Sequence, residues 1–103
     1  GIRVEVLDLR PLDLSGMDYA AIGESLGKTG SVLIVDQAPR SLSIGGRISD
    51  QIQARFFDYL DCPVAQVTAL DVPPPVSKEL EAATLPSVQQ IKAAMVRSAQ
   101  RRI

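Results

Sequence analysis

Residues Ser31–Ile52 read SVLIVDQAPRSLSIGGRISDQI. The segment opens with Val32-Leu33-Ile34-Val35, four β-forming residues without a polar break. Such a run predicts a strand covered on both faces, as in a parallel sheet between helical layers. Asp36 closes the run, and Pro39 lies in the connection, where its missing N–H does no harm. Ser41 and Ser43 are placed to cap a helix, and Gly45-Gly46 permits close approach of another backbone to its first turn. Strand, loop and glycine-entered helix make half of a βαβ unit. That form can also cradle phosphate. A dinucleotide loop, however, wants three spaced glycines directly after the strand, and a P-loop wants Lys-Ser/Thr after its last glycine. Here there is no third glycine, and Arg47 follows Gly46.

On the N-terminal side, Ile2, Val4 and Val6 alternate with Arg3 and Glu5, and the phase reverses at Leu7 and Leu9, which predicts a strand ended by Pro11. Ser15 and Asp18 resemble a short capping box for a helix running to about Leu26, with Gly27 and Gly30 turning the chain into Val32. On the C-terminal side, Ile48, Ile52, Phe56 and Leu60 recur every fourth residue, with Phe57 widening the stripe; Arg47, Asp50, Gln51 and Arg55 fill the opposite face of this amphipathic helix. Asp61-Cys62-Pro63 ends it. Val64–Leu70 predicts a third strand nearer a sheet edge. Asp71–Pro75 contains three consecutive prolines and reads as a stiff, extended strap. Ser87 with Gln90 starts a last helix, whose apolar stripe is Val88, Ile91, Ala94 and Met95. Lys92, Arg97, Arg101 and Arg102 suit that helix's C-terminal dipole. The sum is β-α-β-α-β-α: a three-layer α/β/α domain over residues 1–103, with a mainly parallel sheet and right-handed crossovers.

The length of 103 residues bounds this at one domain. A net charge of −1 gives no electrostatic case for nucleic acid or membrane. Two tyrosines, two phenylalanines and no tryptophan make no stacking platform for bases. No apolar run approaches the ~20 residues of a membrane span, and no signal-peptide pattern precedes the first strand. The single cysteine, Cys62, allows no internal disulfide. The chain has no histidine, which removes Ser-His and Cys-His catalysis and most zinc sites. Asp8, Asp36, Asp61 and Asp71 fall near strand ends, where open α/β sheets bind ligands, but aspartate is also an ordinary turn residue. The expected catalytic, cofactor-binding and metal-ligating set is therefore none.

Longer phrases carry a resemblance. VEVLDLRPLDL, KTGSVLIVDQAPRSLSIGGRISDQI, FFDYLDCPVAQVTALDVPPP and LEAATLPSVQQI, in this order and spacing, resemble the C-terminal domain of the transketolase superfamily. They are most similar to the beta subunit of the thiamine-diphosphate-dependent 2-oxo acid dehydrogenase first component, in its pyruvate and branched-chain forms. Phe57-Asp58-Tyr59-Leu60-Asp61 with Pro63-Val64, Thr68 and Asp71-Val72-Pro73 is the most specific part, followed by Leu85-Pro86-Ser87-Val88. Asp36-Gln37-Ala38 departs from the Glu-Glu-Gly common in these subunits, and Val76 replaces an aromatic residue or histidine. The resemblance implies a non-catalytic assembly domain. Thiamine diphosphate and magnesium would lie between other domains of the parent enzyme, which decarboxylates a 2-oxo acid and reductively acylates lipoamide. Its implied partners are a second beta subunit and the alpha subunit of an α2β2 tetramer, and the subunit-binding domain of the acyltransferase core. The candidate interface is Gly45, Gly46, Ile48, Ile52, Arg55, Arg101, Arg102 and Ile103. A bacterial cytoplasm or a mitochondrial matrix is the implied location.

The resemblance also implies a further parallel strand upstream of Gly1, lying between the Ile2–Leu9 and Val32–Asp36 strands. Residues 1–103 would then be partial at the N-terminus, and another peptide or strand exchange between copies would complete the sheet. The rival class is a stand-alone ligand-binding module using Asp36, Asp71 and the Gly45-Gly46 helix start. A weaker third reading is a transketolase or deoxyxylulose-phosphate synthase domain, against which the FDYLD and DVPPP phrases argue.

Overall fold

Leu33–Val35 of the Val32–Val35 run belong to a strand, but the sheet it joins has only two strands among the described residues. A computed structural model describes residues 3–9, 17–71 and 83–100. Within them the order is α1 (Tyr19–Thr29), β1 (Leu33–Pro39), a 3₁₀ turn over Arg40–Leu42, α2 (Gly45–Phe56), a 3₁₀ turn over Phe57–Tyr59, β2 (Ala65–Ala69) and α3 (Val88–Gln100). β1 and β2 pair in parallel with Leu33 opposite Ala65, Ile34 opposite Gln66 and Val35 opposite Val67. The register shifts before Pro39 meets Ala69. Asp36 lies in the irregular part, where its Oδ1 accepts from the Ala38 N–H at 3.2 Å. The strand thus runs past the aspartate expected to end it.

Local chemistry explains where each helix starts and stops. Asp18 caps α1, its Oδ1 accepting from the Ala21 N–H at 3.0 Å, while Ser15 lies outside the described residues. The helix passes through Gly27 and stops at Gly30, whose φ of 74° is the left-handed ending that lacks a Cβ penalty only for glycine. At α2, Ser43 Oγ accepts from the Gly45 N–H at 2.9 Å and donates to Asp36 Oδ2 at 2.5 Å. Ser41 instead donates to Asp71. At α3, Ser87 Oγ accepts from the Gln90 N–H at 3.1 Å, and Gln90 Oε1 accepts from the Ser87 N–H at 2.9 Å. This is the expected reciprocal capping box.

Ile22 and Leu26 of α1 meet Ile48 and Ile52 of α2, with Val32, Ile34, Phe56, Leu60 and Val64 packed around them. Leu26 and Ile52 are 1% and 2% exposed. Full burial of one such side chain contributes about 1.5–3 kcal/mol, so this cluster is the main attractive term holding both helices to one face of the sheet. On the other face α3 packs on β2 and β1, burying Ala94 and Ser98. The helix–sheet–helix layering follows.

Three expectations need correcting. Residues 3–9 carry no regular secondary structure. A β-segment without a neighbouring ladder has nothing to satisfy its backbone groups except water, and no partner strand lies beside it among the described residues. Phe57 does not widen the α2 stripe; the helix tightens into a 3₁₀ turn there and the ring is 71% exposed. Val88 is 68% exposed, so the α3 stripe begins at Ile91. Cys62 is buried; its Sγ lies 3.4 Å from Ser31 Oγ and 3.8 Å from the Ser98 carbonyl oxygen, to which it donates. The Pro73–Pro75 strap lies outside the described residues.

Candidate functional site: an open edge of the sheet

β2 covers one edge of β1, and no strand pairs with the other edge among the described residues. Along that open edge runs a cleft of about 580 Å³. One long wall is Ser31–Asp36 and the opposite wall is Arg3–Leu9. Ile22, Leu26, Ile48 and Ile52 reach it from the α1–α2 layer, and Met95, Ser98 and Ala99 from α3. The cleft therefore lies within the sheet layer itself, between two helical layers, and its lining is mostly apolar. Val35, one of the four residues of the run read as covered on both faces, is 47% exposed, and Val4 and Val6 on the far wall are 52% and 83% exposed. Leu9 packs on the core, and Glu5 lies 3.8 Å from Lys28 with both side chains substantially exposed. An exposed ion pair of this kind is worth about 0–1 kcal/mol.

The interface residues divide. Gly45, Ile48 and Ile52 are buried within the chain, and all three also line the cleft beside β1. A Cβ on Gly45 would lie 3.0 Å from Ser43 Oγ, 3.1 Å from Gln66 Oε1 and 3.3 Å from Ile34 Cγ2, so its close approach serves packing between helix and sheet. Gly46 has nothing within 4 Å of its Cβ position and faces outward. Arg55 is exposed, its guanidinium carbon 4.1 Å from the centre of the Tyr19 ring, a cation–π contact joining α2 to α1. Arg101, Arg102 and Ile103 lie outside the described residues.

The carboxyl end of the sheet is tied together. Ser43 holds Asp36 and Ser41 holds Asp71, so both aspartates brace the β1–α2 connection. Asp36 reaches one end of the cleft; Asp71 does not line it. Among the described residues no three His, Cys, Asp or Glu side chains are grouped to hold a metal ion. With serine-bound aspartates and no glycine-rich loop, the described residues do not compose a site for thiamine diphosphate and magnesium. None of their helices is long and apolar enough to cross a membrane.

A second groove, missed by the sequence reading, lies against the start of β2 and α3. It has a volume of about 260 Å³ and is lined by Arg40, residues 63–66, Ala94, Arg97 and Ser98. Its two arginines are far apart in the chain, and the charge of Arg97 already had a local explanation in the helix dipole.

Helices layered on both faces of a small parallel sheet define an α/β domain. The chain belongs to the transketolase C-terminal domain family, whose pattern matches residues 1–91. It is 36% identical over 91 residues to the pyruvate dehydrogenase E1 component subunit beta of Rhizobium meliloti strain 1021, covering 88% of this chain and 19% of that protein. A chloroplastic subunit beta-3 of the same name from Oryza sativa subsp. japonica is 40% identical over 95 residues, 92% of this chain and 24% of that protein. The mitochondrial subunit beta of Caenorhabditis elegans is 35% identical over 99 residues, 95% of this chain and 28% of that protein. The chain thus spans between 19% and 28% of the length of these three relatives.

Proposed function

We propose that these residues form the non-catalytic assembly domain of a 2-oxo acid dehydrogenase beta subunit. In this reading the parent enzyme decarboxylates a 2-oxo acid and transfers the acyl group reductively to lipoamide. The thiamine diphosphate and magnesium that supply that chemistry are held by other domains. The domain packs against a second beta subunit and an alpha subunit, and contributes to docking of the acyltransferase core. Pyruvate is the substrate favoured by the names of the relatives, some of which are mitochondrial and some chloroplastic.

The observation that carries the structural half of this reading is the cleft beside β1. An edge strand exposes a row of main-chain donors and acceptors, and natural proteins pair or cover such edges. A space within the sheet layer, walled by apolar side chains from both helical layers, suits one further strand of polypeptide. We assign that strand to a segment outside residues 1–103 or to strand exchange with a second copy. The same cleft is what favours the rival reading, a stand-alone module with a small-molecule ligand at Asp36 and Gly45.

Native and denaturing mass spectrometry of the purified material separates these readings. A second peptide, or a two-copy species, is expected, with amide exchange at Leu33–Val35 slowed in the complex. A lone 11.1 kDa chain with those amides already protected, or turnover of a 2-oxo acid by this polypeptide alone, overturns the proposal.

A further inference from the structure

We draw no further inference here: the strongest candidate, the cleft of about 580 Å³ between β1 and residues 3–9, belongs to the site already described.

Discussion

Gly23 of α1 sits against the ring of Phe56 at the end of α2. A Cβ at position 23 would lie 2.7 Å from Phe56 Cε1 and 2.9 Å from Cζ. The same ring stacks on Tyr59 with centroids 6.0 Å apart. Replacing an interior helical glycine by alanine gains up to about 1 kcal/mol in helix propensity. Overpacking a fitted contact costs about 1–3 kcal/mol, so the clash should win. Gly23→Ala is therefore expected to destabilise the chain in urea unfolding. Adding Phe56→Leu should recover part of the loss, and the double-mutant cycle reads the coupling. A stabilised Gly23→Ala single variant would contradict this packing.

Ile52 is 2% exposed, whereas Leu42 is 82% exposed. Ile52→Ala should cost about 2–5 kcal/mol, and Leu42→Ala should change stability by less than about 0.5 kcal/mol. Equal effects in denaturant titrations would mean that the α1–α2 cluster is not the core.

The Ser87–Gln90 capping box predicts that Ser87→Ala lowers stability by about 1 kcal/mol, with a smaller effect for Gln90→Ala. The loss should appear in thermal melts followed by helical circular dichroism. Ser87→Asp, which retains a capping acceptor near the positive helix end, should restore most of it.

Two glycines should respond in opposite directions. Gly30 has φ of 74°, and Gly30→Ala should cost about 1–2 kcal/mol through left-handed strain. Gly46 lies in the first turn of α2 with open space around its Cβ position, so Gly46→Ala should be neutral or stabilising by up to about 1 kcal/mol. Melting temperatures that fall equally for both variants would refute the distinction.

The legible parts of this chain were those governed by near neighbours in sequence. The Ser87 box, the four-residue repeat of Ile48 and Ile52, and the glycine stop before Val32 each depend on residues a turn or less apart. Legibility failed where the outcome depends on what lies beside an element. Residues 3–9 have an alternating strand pattern, but without an adjacent ladder that pattern specifies only a preference. Phe57 and Val88 have helical spacing yet are exposed, Phe57 because the helix tightens into a 3₁₀ turn there. Ile48 and Ile52 pack on Ile22 and Leu26 of α1 and also line the cleft, a double role that spacing alone does not show.

By itself the sequence determined the order of strand and helix, the caps, the absence of histidine chemistry and the phrases that place the chain in its family. Tertiary structure alone decided that, among the described residues, β1 has one unpaired edge along a cleft, that Asp36 and Asp71 are occupied by serines, and that Arg40 and Arg97 line one groove. The physical reason is range. Periodicity and capping act over one turn of backbone, whereas edges, clefts and shared grooves exist only after distant segments have packed.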